Sequence, residues 1–206
     1  MPGRTTEGPL RLGTRFALDG ELEAAFARAD EYLRAAGYRL SGPTAGQVIA
    51  TRGQSVLNLV AFSPRWWNVE VRVEAQRRGG RLEVTTLFLV DTRAQMPSVS
   101  ECAFWRAEVL GLEKAMREGA VSVEENHRLA RRSLLMNSLA FPVLLAVSGA
   151  PAGLVAAWFD DAPQRTGPFL AAMLAAGAAG LALAWWVGRV VFGIFSGTEQ
   201  LPYAPE

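Results

Sequence analysis

The sequence predicts an α+β protein: a two-layer domain with a four-stranded antiparallel meander and flanking helices, followed by a two-helix transmembrane hairpin. Three observations lead to this class. Apolar residues alternate through much of 47–91, which is typical of strands. On both sides of that region apolar residues recur at three- and four-residue spacing, which is typical of amphipathic helices. Two long apolar runs then fill the last third of the chain.

The charged residues divide the chain into two parts. Residues 1–132 hold 19 of the 21 Lys and Arg residues and 16 of the 20 Asp and Glu residues, as a soluble domain would. Residues 133–206 hold the remaining six, which are too few for a solvated domain. The formal net charge of +1 argues against a nucleic-acid partner, because such proteins usually carry a basic face and a high pI.

Composition and pattern together predict five segments. These are a flexible leader (1–18), a cytoplasmic α+β domain (19–120), a juxtamembrane helix (121–133), the transmembrane hairpin (134–195, with spans of about 134–159 and 169–190) and a C-terminal tail (196–206).

Each apolar run exceeds the ~20 residues that a helix needs to cross a bilayer, and a polar turn with two prolines joins them. Positive residues prefer the cytoplasmic side, so we expect both termini there. Four arginines flank the spans and are expected at the lipid headgroups: Arg128, Arg131, Arg132 and Arg189. Twenty Arg against one Lys is typical of a GC-rich bacterial genome, so the expected location is a bacterial inner membrane.

Small residues recur at four-residue spacing in both spans. Gly149 and Gly153 form such a pair in the first span, and Ala176 and Gly180 form one in the second. Small side chains let helix backbones approach closely in a membrane. They predict either packing within the hairpin or packing against a second copy or another membrane protein.

Strands are predicted over 47–52, 55–62, 66–76 and 81–91, with two-residue turns at Gly53-Gln54 and Gly79-Gly80. A first helix is predicted over 19–37. A second helix begins after Ser98, which forms a capping-box pattern with Glu101. A third helix should run from Val123 straight into the first span.

The turn at Gly79-Gly80 predicts the register, pairing Val73 with Thr86, Val71 with Phe88 and Val69 with Val90. This face should form the core. Extending the register adds Trp67, Phe62, Val60, Val56 and Ile49 to the same face.

The opposite face of the sheet is predicted to carry more apolar residues than a solvated face needs. They are Leu57, Leu59, Ala61, Leu87 and Leu89, and Trp66 should also point away from the core. An exposed apolar surface tends to mark a binding site, so a partner is expected there. The alternative is that residues 1–18 cover this face.

The sequence lacks the residue patterns of the common catalytic sites. It has one histidine (His127), one cysteine (Cys102), no phosphate-binding loop and no dinucleotide-binding glycine motif. We therefore expect no catalytic residues, no cofactor and no metal.

Two functions fit this pattern. The first is a membrane-anchored, non-catalytic interaction or scaffold protein: a homo-oligomer, or a small subunit of a membrane complex, with membrane lipid and itself or another membrane protein as partners. The alternative is a ligand- or lipid-sensing regulatory module, with an aromatic-lined pocket between sheet and helices near Trp67, Phe88 and Trp105.

Overall fold

The computed structural model describes residues 9–44, 46–53, 63–92, 98–159, 166–191, 193 and 201–202. Within them the chain is an α+β protein, as predicted, with two long apolar helices at its C-terminal end. The strands are β1 (Leu10–Leu18), β2 (Arg39–Thr44), β3 (Gln47–Arg52), β4 (Val69–Arg78) and β5 (Arg81–Val90). The helices are α1 (Leu22–Ala35), α2 (Val99–Glu118), α3 (Glu124–Phe159) and α4 (Thr166–Val190), with a short 3-10 helix at Pro64–Trp66.

The five strands form one antiparallel sheet in the order β1-β5-β4-β3-β2. The prediction of a flexible leader over 1–18 is therefore wrong for residues 10–18, which form the edge strand β1. Its sequence, LRLGTRFAL, places Leu10, Leu12 and Phe16 at alternate positions, which is the pattern of a half-buried strand. Residues 1–8 lie outside the described part of the chain.

The connection between β3 and β4 also differs from the prediction. The two strands pair directly, from Gln47 with Glu74 to Arg52 with Val69, so no strand lies between them. A two-residue turn at Gly53-Gln54 is ruled out by the same pairing, because the partner of β3 begins at Val69. The predicted strand over 55–62 falls outside the described residues. The other side of β3 is taken by β2, which was not predicted.

The register predicted for the β4–β5 hairpin is confirmed at all three pairs, including Val71 with Phe88. The assignment of Ile49 to the core face is wrong, since it pairs with Arg72 on the opposite face. The short turn assumed after β3 shifted that strand by one residue, and a shift of one moves every side chain to the other face. Val48 and Ala50 fill the core positions of β3 instead.

Helices α1 and α2 cover one face of the sheet and close the core. The largest fully buried side chains are Trp67, Trp105, Tyr32, Phe88 and Phe104. The predicted capping of α2 is confirmed, because the Glu101 carboxylate accepts a hydrogen bond from the Ser98 N–H at 2.8 Å. Gly119 ends the helix with a φ of 72°.

Helix α3 runs without a break from the domain into the first apolar run, and α4 packs back along it. Both helices are long and apolar enough to cross a bilayer. Only 6% of the most apolar window of the first helix and 11% of that of the second are buried within the chain. Core helices of soluble proteins would be mostly buried, so this exposure is compatible with a membrane-spanning hairpin.

We expect Gly53→Ala to lower the free energy of unfolding by at least about 3 kcal/mol. Gly53 has a φ of 89°, and a Cβ there would lie 2.1 Å from the Trp67 carbonyl oxygen, where the backbone cannot give way. Gly46→Ala is the matched control. Its φ is 80° with no atom within 4 Å of an added Cβ, so backbone strain alone should cost about 1 kcal/mol. Denaturant unfolding of the full chain in detergent measures both, and equal losses would contradict the collision.

Candidate functional site at the junction of domain and hairpin

The domain is joined to the hairpin through α2, which packs antiparallel against the first part of α3. Near the middle of α2, the Tyr32 hydroxyl donates to the Glu108 carbonyl oxygen at 3.1 Å and accepts from Asn126 of α3 at 2.8 Å. Near the N-terminus of α2, the Asn137 side-chain amide donates to Glu101 at 2.8 Å. The first turn of α2 therefore lies where the apolar part of α3 begins.

The C-terminal end of the hairpin, just after α4, contacts the same turn of α2. After α4, the carbonyl oxygen of Gly193 accepts a hydrogen bond from the Val99 N–H at 3.3 Å. Gly193 has a φ of 61°, and a Cβ on it would lie 2.8 Å from a methyl group of Val99. Both ends of the hairpin thus contact one helical turn of the domain.

A buried ion pair lies inside the domain behind this junction. Arg52, the last residue of β3, makes a bidentate contact with Glu108 of α2, with nitrogen–oxygen distances of 2.6 and 2.9 Å. The side chains of Arg52 and Glu108 are 6% and 1% exposed. Charges this deeply buried are tolerated only where their remaining hydrogen bonds are also satisfied.

Neighbouring groups supply those hydrogen bonds to all but one polar atom, since the Arg52 Nε–H has no partner among the described residues. The Tyr38 hydroxyl donates to the Glu108 carboxylate at 2.5 Å, and Arg52 also donates to the Ala36 carbonyl oxygen at 3.0 Å. The guanidinium carbon of Arg52 lies 4.2 Å from the centre of the Tyr38 ring and 5.8 Å from that of Trp105. Aromatic faces stabilise a cation from which water has been removed. The cluster therefore ties β3 and the end of α1 to α2.

The electrostatics of the cluster favour its present protonation state. Burial raises the pKa of Tyr38 well above its usual value, so its hydroxyl remains a donor. Burial alone would lower the pKa of Arg52, but Glu108, Tyr38 and Tyr32 together more than offset this effect and the net pKa is raised. The Arg52 and Glu108 side chains are bound to each other and closed to solvent, so the arrangement positions β3 against α2.

Glu101 forms a second buried polar contact, at the edge of the apolar region. It is 2% exposed, and its carboxylate accepts hydrogen bonds from the Ser98 N–H and from Asn137. Burial raises the pKa of Glu101, and these hydrogen bonds oppose the rise only in part. The neighbouring Cys102 thiol has its pKa raised to about 11 by burial, which keeps it protonated and unreactive.

The structure places the predicted surface residues of the sheet apart from this junction. Leu87 and Leu89 lie on the face away from the helices, as predicted, and are partly buried. Residues 10–18 do not cover that face, because they lie in the plane of the sheet as β1. Leu57, Leu59 and Ala61 fall outside the described residues. Trp66 is 46% exposed, whereas Trp67 is fully buried.

The small residues of the two spans have different surroundings. Ala176 is buried, and a Cβ on Gly180 would lie 2.2 Å from the Ser148 carbonyl oxygen, so both serve the contact between α3 and α4. A Cβ on Gly149 or Gly153 would meet no atom within 4 Å. That face of α3 is therefore not used within the described part of the hairpin.

The four arginines assigned to lipid headgroups are exposed: Arg128, Arg131, Arg132 and Arg189. Arg128 pairs with Glu125 at 2.7 Å. The guanidinium carbon of Arg189 lies 5.5 Å from the centre of the Trp185 ring, an arginine–aromatic pair at the end of α4.

The aromatic residues proposed to line a sensing pocket pack against one another. The ring centres of Trp67 and Trp105 are 5.9 Å apart, and these rings and Phe88 are at most 1% exposed. A cavity of about 440 Å³ lies elsewhere, beside the β4–β5 turn. It is lined by Arg15, Phe16, Ala17, Arg78, Gly79, Arg81 and Glu83. Glu83 there pairs with Arg15 at 2.9 Å and with Arg78 at 3.6 Å.

Sequence reasoning missed the buried cluster around Arg52 and Glu108. The signal available was alternation: Val48, Ala50 and Arg52 share one face of β3, which places a charge at a core position. The other partners, Tyr38 and Asn126, reach the cluster only through tertiary packing. Among the described residues, no group of three metal-ligating side chains comes together.

We expect Glu108→Leu to destabilise the chain by about 3–5 kcal/mol, because it leaves the Arg52 charge buried without a partner. The double variant Arg52→Met/Glu108→Leu removes both charges and should lose clearly less than the sum of the two single changes. Denaturant unfolding of the native chain, the two single variants and the double variant gives the coupling free energy between Arg52 and Glu108. Additive losses would contradict an ion pair that acts as a unit.

The raised pKa of Glu101 predicts a pH dependence. Because the folded protein holds this proton more tightly than the unfolded chain, the free energy of unfolding should fall as the pH rises above about 4.5 and level off above the folded-state pKa. Glu101→Gln keeps an acceptor for Asn137 but cannot titrate, so it should lack this contribution. Thermal unfolding of both proteins across this range measures the difference. Parallel pH profiles would show that Glu101 titrates as it does in the unfolded chain.

Comparison with known proteins identifies no family for this chain. No family model matches the sequence, and no curated protein matches it. Among solved structures, the protein TTHA0849 from Thermus thermophilus is similar over 63% of this chain and 97% of its own, with 9% sequence identity and a TM-score of 0.23. At this TM-score the likeness carries no argument about fold or function.

Proposed function

We propose that this chain is a membrane-anchored, non-catalytic interaction protein. In this proposal α3 and α4 cross a bacterial inner membrane as a hairpin and hold the α+β domain against its cytoplasmic face. The observation that carries the proposal is the exposure of the two apolar helices. Only 6% of the most apolar window of α3 and 11% of that of α4 are buried within the chain. Lipid satisfies such a surface, whereas water does not.

The positions of the charged residues support the orientation. Arg128, Arg131 and Arg132 are exposed on α3 just before its apolar part, and Arg189 lies at the opposite end of the hairpin sequence, near the same level. The contacts of Asn137 with Glu101 and of Gly193 with Val99 bring these two ends to one turn of α2. Arginines at both ends favour the cytoplasmic side for both termini.

The way the domain is attached supports a positional role. An anchor that only kept a domain at the membrane would need no more than one flexible connection. Here α3 enters the membrane as a continuous helix, and both ends of the hairpin contact α2. The domain is thus held in one orientation relative to the bilayer. A fixed orientation is useful to a protein that presents a surface to a membrane partner.

The partner surface proposed is the outer face of α3 around Gly149 and Gly153. Two glycines one helical turn apart let another helix approach closely, and neither glycine is used within the described part of the hairpin. A second copy of the chain or another membrane protein fits this face. The sheet face with Leu87 and Leu89 is a further candidate surface for the same partner.

The test begins with membranes washed in alkaline carbonate and extracted into mild detergent for native mass spectrometry. We expect the protein to stay in the washed membrane and to appear as a defined homo-oligomer or with one reproducible second protein. Release by carbonate would contradict the anchor. A monomer that carries only a tightly bound small molecule or lipid would favour the sensing alternative instead.

The double variant Gly149→Leu/Gly153→Leu should convert the assembly to a monomer, because the added side chains fill the close-approach face. Gly177→Leu is the matched control. Gly177 lies in α4, and a Cβ there also meets no atom within 4 Å, so the change adds similar bulk on another face. An assembly that survives the double variant would remove the α3 face from the proposal.

A further inference from the structure

Two residues from the C-terminal part of the chain, Leu201 and Pro202, lie against the edge strand β1. The Gly13 N–H points away from β5 and donates to the Pro202 carbonyl oxygen at 2.8 Å. The preceding residue, Leu201, is 6% exposed and belongs to the hydrophobic core of the domain. A backbone hydrogen bond to a sheet edge beside a buried side chain is how an extended peptide adds to a sheet.

Other contacts on the same edge agree with this role. The Ala17 carbonyl oxygen, which faces the same way as the Gly13 N–H, accepts a hydrogen bond from Arg117 at 3.2 Å. Unpaired groups on an edge strand attract other chains, so native proteins cover them. Pro202 accepts a hydrogen bond but has no N–H, so it closes the edge without offering a new donor at that position.

The segment also connects the edge to the hairpin. Between α4 and Leu201 in sequence, the carbonyl oxygen of Gly193 accepts a hydrogen bond from the N–H of Val99, the first residue of α2. Leu201 then lies in the core of the domain, at β1. The end of the second apolar helix is thereby fastened to the domain at two points.

We propose that the outer edge of β1 at Gly13 is a binding site for a leucine-bearing peptide, and that the chain's own Leu201 and Pro202 occupy it as a latch. Leu201 fills the apolar position and the Pro202 carbonyl pairs with Gly13. This proposal does not rest on the function proposed above, since every contact that carries it lies within one chain.

Hydrogen exchange of the full chain in detergent, read at single residues, tests the latch. Leu201→Asp should increase the exchange rate of the Gly13 N–H by about tenfold or more, because displacement of residues 201–202 exposes this N–H to water. Leu12 and Phe16 are internal controls, since at alternate positions their N–H groups face β5 and should be unaffected. Pro202→Ala keeps the carbonyl and should leave Gly13 protected. Equal exchange at Gly13 in the native chain and in Leu201→Asp would overturn the proposal.

A peptide of residues 196–206 added to the Leu201→Asp protein should restore protection at Gly13, and the same peptide carrying L201D should not. Failure of the native peptide would overturn the binding site. If protection of the Gly13 N–H in the native chain increases with protein concentration, the bound segment belongs to a second copy. That result would overturn the latch. If Leu12 and Phe16 also exchange faster in Leu201→Asp, Leu201→Ala shortens the side chain without placing a charge in the core and supplies the same comparison.

Discussion

The Arg52–Glu108 pair constrains most of what surrounds it. Two opposite charges at 1–6% side-chain exposure are stable only if every neighbouring element holds its place, because a small opening would leave each charge desolvated and unpaired. Tyr38 and the Ala36 carbonyl donate to or accept from the pair, and Tyr32 with Asn126 extends these contacts to α3. The relative positions of β3 and α2 are therefore set by geometry that an apolar core would leave looser.

This constraint makes α2 the central element of the molecule. One part of it holds the ion pair, and its first turn holds Glu101 and Val99, which contact the two ends of the hairpin. Both ends of the hairpin therefore contact the helix that carries the buried Glu108 carboxylate. The hydrogen bond between Asn137 and Glu101 also specifies how α2 and α3 are aligned, since hydrogen bonds select one alignment where apolar packing allows several.

Three surfaces of the chain differ in their contacts. The β1 edge is contacted by residues 201–202 at Gly13, and the seam between α3 and α4 uses Ala176 and Gly180. The face of α3 around Gly149 and Gly153 has no partner within the described residues. The described residues thus include one sheet edge that contacts the C-terminal part of the chain and one small-residue helix face that does not contact the rest of the chain.

The sequence by itself determined the class, the two apolar helices, the β4–β5 register and the capping of α2, because each depends on local periodicity or on a turn a few residues long. The alternation in residues 10–18 was also present, although β1 is recognisable as a strand only beside β5. Tertiary structure alone decided the direct pairing of β3 with β4, the inward position of Arg52 and the return of Leu201 to the core. These three features depend on contacts between residues far apart in the chain. Strand pairing and burial determine such contacts, and local preference does not.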